Sequence, residues 1–147
     1  MKINKRIVII SSGQPSANPR AVKEALALHK EGYAVKFIYC PLSPWADRFD
    51  EKLFSVHPGI TWIRVGYHPL KQKWSYRFAR LRKKILALAG RSARNYALFS
   101  QELKNEACKH KADLYIGHNL GAIEATVTAA GKFNGKAGFD AEDFHRG

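Results

Sequence analysis

Residues 5–40, KRIVIISSGQPSANPRAVKEALALHKEGYAVKFIYC, contain the pattern that decides the fold. Residues 7–10 are all β-branched and show no polar alternation, which is typical of a strand covered on both faces of a parallel sheet. Asn18 and Pro19 then have the chemistry of a helix start, and a second strand is expected at 35–40. Two strands joined by a helix of this length predict an open parallel sheet.

The rest of the chain continues to alternate strands and helices. Apolar runs predict strands at 60–65, 112–117 and 136–140, and apolar periodicity predicts helices at 74–89, 92–111 and 121–131. The segment 47–54 is mixed, and no element is assigned to it. The order predicts an α/β fold, with a Rossmann-like doubly wound, mainly parallel sheet in three layers, α/β/α.

Composition excludes several classes of protein. The 147 residues suffice for one domain, and the two cysteines have no ligand-like spacing, so we expect neither a disulfide framework nor a metal site. The first apolar run stops at Ser11, which is too short for a signal peptide or a membrane span. The sequence therefore predicts a cytoplasmic chain.

The charge is strongly positive and localised. The formal net charge is +13, and no acidic residue occurs between Glu51 and Glu102. The helix expected at 74–89 has an apolar stripe beside a basic patch of Lys73, Arg77, Arg80 and Lys84. Three interpretations are open: an interfacial helix on anionic lipid, a core-packed helix with a solvated basic face, and a nucleic-acid patch. Because no nucleic-acid-binding motif is present, we favour a membrane-facing patch.

Ligands of doubly wound sheets bind beyond the carboxyl ends of the strands, where the strand order reverses. This rule selects the loops at 12–20, 117–121 and 141–145. The first loop has neither GxGxxG nor GxxxxGK[ST], so it predicts no nicotinamide or P-loop site. It does supply groups suited to a phosphate or a sugar hydroxyl, namely Ser12, Gly13, Gln14 and Arg20. The alternative is a connecting loop with a surface arginine.

The other two loops add a histidine and a group of acids. His118 follows the fourth strand beside Asn119, where it can donate to a substrate hydroxyl, although a lone histidine is usually structural. Asp140 and Glu142 follow or end the fifth strand, with Asp143 and His145 nearby. We expect them to hydrogen-bond a ligand rather than to act as a catalytic acid or base; the alternative is helix capping by solvated acids.

Three segments resemble the N-terminal half of GT-B glycosyltransferases, in particular the large retaining family four. They are NPRAVKEALALHKEGYAVKFIYC at 18–40, ADLYIGHNLGAIEATVTAA at 112–130 and GFDAEDFH at 138–145. The resemblance implies transfer of a sugar with retention, from a nucleotide-sugar co-substrate to a sugar or lipid-linked acceptor of a cell-envelope polysaccharide. It implies no other cofactor.

The resemblance also implies roles for residues. His118 corresponds to a catalytic contact with the transferred sugar or acceptor, and the loop at 12–14 lies near the donor phosphates. Asn119 and Asp140 match the family pattern, whereas Glu142 stands where a histidine is common. Residues 1–147 would then be an incomplete acceptor-side domain, inactive alone without the donor-binding domain and peripheral on the inner membrane face. Two alternatives stay open: an α/β nucleotide- or sugar-phosphate-binding domain without transfer activity, and a basic nucleic-acid-associated protein.

Overall fold

A computed structural model describes residues 5–90 and 97–141. In this part of the chain five strands form one parallel sheet in the order β3-β2-β1-β4-β5. The strands are β1 (Arg6–Ser11), β2 (Ala34–Tyr39), β3 (Thr61–Arg64), β4 (Leu114–His118) and β5 (Lys136–Asp140). The chain runs outward from β1 to β3 and then returns to place β4 on the other side of β1. The strand order therefore reverses between β1 and β4.

Helices cover both faces of the sheet. They are α1 (Pro19–Lys30), α2 (Asp47–Val56), α3 (Lys73–Leu88), α4 (Ser100–Ala107) and α5 (Ile123–Phe133). Ile7 and Ile9 of β1 pack with α1 residues on one face, and Val8 and Ile10 pack with α4 and α5 residues on the other. Because successive strand residues point to opposite faces, an unbroken apolar β1 is what two covered faces require. The predicted Rossmann-like, doubly wound α/β fold is confirmed.

Local signals in the first unit act as predicted. The Asn18 side chain accepts a hydrogen bond from the Ala21 amide at 3.1 Å, and Pro19 occupies the first turn of α1. The helix ends at Lys30, and Gly32 just beyond it has a φ of +89°, a left-handed conformation that suits glycine. The Tyr33 amide then donates to the carbonyl of Leu28 and closes the end of the helix.

Two elements differ from the prediction. The segment 47–54 lies within helix α2, where Phe54 stacks on Trp62 with ring centroids 4.7 Å apart. Of the helix predicted at 92–111, the structure has Ser100–Ala107, and residues 92–96 lie outside the described residues. None of the helices in the described ranges combines the length and apolarity needed to cross a bilayer.

Candidate functional site

The carboxyl edge of the sheet, meaning the carboxyl ends of the five strands and the loops that follow them, brings the predicted site residues together. At the reversal of strand order, the Asn18 side chain donates to the Asn119 side-chain oxygen at 3.1 Å. Asn119 has a φ of 68° and a ψ of 150°, a backbone conformation that lies outside the left-handed helical region and that glycine mostly adopts. The loops after β1 and β4 are therefore tied to each other at the switch point.

His118 ends β4 beneath these loops and is buried. Its Nε2 lies 2.7 Å from a carboxylate oxygen of Glu24 on α1, so this nitrogen carries a proton and donates. Its Nδ1 lies 3.6 Å from Asp140, and Asp140 accepts a hydrogen bond from Arg20 at 2.9 Å. Ionisable side chains thus form a continuous line from α1 across β4 to β5. The predicted catalytic contact of His118 stays a prediction.

Four of the predicted binding residues are accessible at this edge. Gly13 is half-buried, and a Cβ built on it would meet no atom within 4 Å. The Arg20 side chain is 60% exposed, and that of Asp140 is 28% exposed. Asn119 is exposed beside them. The structure therefore offers a ligand one backbone turn with open space beside it, one cation, one carboxylate and one amide.

Two other predicted binding residues have their side chains inside the protein. Gln14 is buried; its amide nitrogen donates to both Asp47 and Asp50 at 3.0 Å, and its oxygen accepts from the Ser43 amide. Ser12 is buried against Gly121. These contacts make both residues part of the framework that shapes the edge. Their predicted contact with a ligand stays a prediction.

Gln14 belongs to a hydrogen-bonded group, the edge network, which joins the segments that follow β1, β2 and β3. Asp50 accepts from the Ser16 hydroxyl at 2.6 Å and amide at 2.9 Å. His68 accepts two backbone amides at Nδ1, so its Nε2 carries the proton and donates to Asp47 at 2.7 Å. The network comprises Gln14, Ser16, Asp47, Asp50 and His68.

Sequence reasoning missed the second half of this network. Asp47, Asp50 and His68 lie more than 30 residues from Gln14 along the chain, and no motif links them. The signal that was available is the spacing of the two aspartates, which suits the first turn of a helix. Glu142, Asp143 and His145, also named as candidates, lie outside the described residues.

Two groups at the end of β2 have pKa values shifted by burial. Burial, reinforced by the negative charge of Asp50, raises the pKa of Tyr39 to about 12. Burial also raises the pKa of the Cys40 thiol. Since a thiolate is the nucleophilic form, Cys40 is a packing residue rather than a nucleophile.

Helix α3 carries the basic patch, but its apolar stripe faces solvent. Trp74 and Leu88, at the two ends of the stripe, are each 82% exposed. The helix contacts the domain through buried Ala79 and half-buried Tyr76, whose ring lies 6.1 Å from that of Phe99. This exposure excludes the interpretation of a core-packed stripe.

A wide groove lies at the opposite end of the sheet. Its volume is about 690 Å³, and it is lined by the amino ends of β1, β4 and β5, with lysines at positions 5, 111 and 136. None of the polar residues that meet at the carboxyl edge line this groove. The wide groove and the cluster of polar side chains therefore lie at opposite ends of the sheet. We take the end with the polar side chains as the candidate site.

Comparison with known proteins supports the fold and no family. No family model and no curated protein matches the chain. A solved structure from Methanocaldococcus jannaschii, described as a predicted subunit of tRNA methyltransferase, is similar with a TM-score of 0.50. The match covers 97% of this chain and 70% of that one at 10% identity. At this identity the likeness shows the fold alone.

The assignment to the GT-B glycosyltransferases of family four is wrong, because no family model matches and the similar structure belongs to another class. The predicted retaining sugar transfer and the predicted cell-envelope role are therefore also wrong. Within the described residues, the matching segments are α1 with β2, β4 with α5, and the end of β5, which are pieces that many α/β sheets share. A GT-B half is not confirmed. The predictions of a longer parent protein, a nucleotide-sugar co-substrate and a peripheral cytoplasmic location stay predictions.

Proposed function

We propose that this chain is a binding domain for a nucleotide or sugar phosphate and works as part of an enzyme. The ligand lies at the carboxyl edge, between the loops after β1 and β4. The observation that carries the proposal is the reversal of strand order between these two strands, with accessible polar groups at that point. Ligands of open α/β sheets bind at such switch points.

The phosphate end of the ligand is assigned to Gly13 and Arg20. Asp140 accepts a hydrogen bond from one terminal nitrogen of the Arg20 guanidinium. The guanidinium has further N–H groups that can donate to a phosphate oxygen. Gly13 lets a phosphate approach the backbone closely, because no side chain fills the space beside it. The amino end of α1, which follows this loop, adds a favourable partial charge.

The hydroxyl end of the ligand is assigned to Asp140 and Asn119. Asp140 is held by Arg20 and lies near buried His118, so its carboxylate is oriented before a ligand arrives. A carboxylate and an amide are suited to sugar hydroxyls, since both accept hydrogen bonds and the amide also donates them. A cation beside hydroxyl-binding groups favours a phosphorylated sugar or nucleotide over bare phosphate.

Thermal unfolding with added ligands tests the proposal. Nucleoside diphosphates or sugar phosphates at ~100 times their dissociation constant should stabilise the chain by about 2.7 kcal/mol, and inorganic phosphate should stabilise it less. Gly13→Leu should abolish this shift by filling the space beside the turn. Arg20→Gln should weaken binding about ten-fold, the loss of one charge-assisted contact.

Gly131→Leu and Lys30→Gln are the matched controls, because Gly131 also has open space beside it and Lys30 is exposed at the far end of α1. Both should bind as the parent chain does. Stabilisation that survives Gly13→Leu, or that is lost equally in the controls, contradicts the site.

A second candidate is an RNA-associated role, which the similar structure and the charge favour. That structure is described as a predicted subunit of tRNA methyltransferase, and this chain has a net charge of +13. A tRNA-binding chain should lose affinity steeply with salt, by ~10³-fold or more between 50 and 200 mM for six or more phosphate contacts. Weak, salt-insensitive binding of tRNA would remove this candidate.

A further inference from the structure

We propose that helix α3 is a docking surface for a membrane that contains anionic lipid, and that the helix lies in the plane of the interface. This inference does not depend on a ligand at the carboxyl edge.

The apolar stripe of α3 is a line of large exposed side chains. Its members recur at intervals of four, three, four and three residues, which places them along one side of the helix. Their exposed fractions are 82% for Trp74, 70% for Phe78, 53% for Leu81, 56% for Ile85 and 82% for Leu88. Single exposed apolar residues are ordinary, whereas an aligned group of this size marks an interaction surface.

The orientation of α3 on the domain keeps this stripe outward. Ala79 lies five residues after Trp74, and thus ~140° around the helix at ~100° per residue, and it is buried against the core. On the same inner side, Arg82 makes two hydrogen bonds to the Glu102 carboxylate, at 2.7 and 2.9 Å. Rolling the stripe onto the domain would break these contacts.

The charge beside the stripe is complementary to an anionic surface. Lys73, Arg77, Arg80 and Lys84 are exposed and follow one border of the stripe. Within residues 5–90 and 97–141, no carboxylate forms a salt bridge with any of these four cations. Arg82 differs, because Glu102 neutralises it. The described part of the chain therefore leaves the positive charges of the basic patch without a neutralising carboxylate.

The combination of apolar and basic surfaces selects lipid as the partner. The Arg77 guanidinium lies 5.9 Å from the centre of the Trp74 ring, and an indole beside a cation is suited to the headgroup region of a bilayer. A nucleic acid would use the cations but leave the aliphatic line from Leu81 to Leu88 in water. A helix with an apolar face and a cationic border matches a surface that is apolar beneath and anionic at the headgroups.

Vesicle co-sedimentation of the full chain tests the proposal. Binding to vesicles with ~30% phosphatidylserine should exceed binding to phosphatidylcholine vesicles at least ten-fold, since each cation near an anionic surface adds roughly five-fold. Binding should also fall as salt rises. Equal binding to both vesicle types overturns the proposal.

Matched variants separate the basic patch from total charge. One variant changes four cations of the patch to glutamine: K73Q, R77Q, R80Q and K84Q. The control changes four exposed lysines elsewhere to glutamine and has the same net charge: K23Q, K30Q, K52Q and K111Q. The patch variant should lose at least ten-fold in anionic-vesicle binding, and the control less than two-fold. Equal losses would show attraction by total charge and overturn the docking surface.

A second pair of variants tests the apolar stripe. F78Q with L81Q should lose binding at least ten-fold, while the control W45A with F49A, at another exposed aromatic pair, should not. Circular dichroism should show both variants folded, because the changed side chains are largely exposed. Undiminished vesicle binding by the stripe variant overturns the proposal. A dimer that depends on the stripe, seen in sedimentation without vesicle binding, would also overturn the proposal. So would tRNA binding that needs the patch but not the stripe, again without vesicle binding.

Discussion

The carboxyl edge and helix α3 differ in how their side chains are partnered. At the edge, polar residues such as Gln14 and Asp50 are buried, and each meets hydrogen-bonding groups from another loop. On α3, large apolar residues such as Trp74 and Phe78 face water. The polar side chains of the first loop therefore hold neighbouring segments together. The apolar side chains of α3 instead leave a surface that a partner can cover.

The largest effect is expected in the edge network. Asp50→Ala should lower the free energy of unfolding by about 3 kcal/mol, because the buried Gln14 amide and the half-buried Ser16 hydroxyl and amide each lose a hydrogen bond to this carboxylate. Phe78→Ser on α3 should change it by no more than ~0.5 kcal/mol. Urea denaturation measures both values. Similar losses for the two variants would remove the distinction between the regions.

A glycine at the edge should show how tightly the loops pack. A Cβ built on Gly121 would lie 2.8 Å from the Ser12 Cβ and would also clash with Ala97. Gly121→Ala should therefore cost about 2 kcal/mol of stability through overpacking. Gly131→Ala, with open space beside it in α5, should stabilise by about 0.5–1 kcal/mol. If the two substitutions have the same sign, the loops at the switch point are looser than described.

Alkaline pH should weaken the edge through Tyr39. Its pKa rises from 10.0 to about 12 on folding, so the folded state holds this proton more tightly than the unfolded state. The contribution is fully present below pH 10 and is lost as pH rises towards 12. The loss is roughly 2 kcal/mol by pH 12. Tyr39→Phe should remove the part of this stability loss that is due to Tyr39. The part due to Cys40, whose pKa is also raised, should remain.

The smallest effect is expected from an ion pair at the carboxyl end of α4. A hydrogen bond from Lys109, at 2.7 Å, lowers the pKa of Glu106 below its ordinary value of 4.5. This contribution to stability is present above pH 4.5 and is lost as pH falls through the lowered pKa. Because Lys109 is exposed, the loss should not exceed ~1 kcal/mol. Lys109→Gln should reduce the acid dependence, and an unchanged acid profile would contradict the assignment.

Much of the fold was predictable from local chemistry. The apolar run of β1, the cap at Asn18 and the left-handed Gly32 act over a few residues, and the structure confirms the parallel sheet they predict. Helix α2 was missed because its packing depends on aromatic contacts of Phe54 with Tyr39 of β2 and Trp62 of β3, which the local pattern of the segment does not show.

The site was only partly predictable. The sheet rule correctly brings Gly13, His118 and Asp140 to one edge, since the ends of parallel strands meet there. It does not tell accessible side chains from buried ones, because the burial of Gln14 depends on two aspartates of helix α2. The family resemblance failed because strand–turn–helix segments recur in α/β proteins without a shared function.

An NMR titration of the ¹⁵N-labelled chain with nucleoside diphosphates tests the central claim most directly, because it locates binding without substitutions. We predict saturable shifts at the amides of Gly13, Arg20 and Asn119, with residues 73–88 unchanged. Shifts confined to α3 or to the groove at the amino ends of the strands would contradict the account, as would no shift at millimolar ligand.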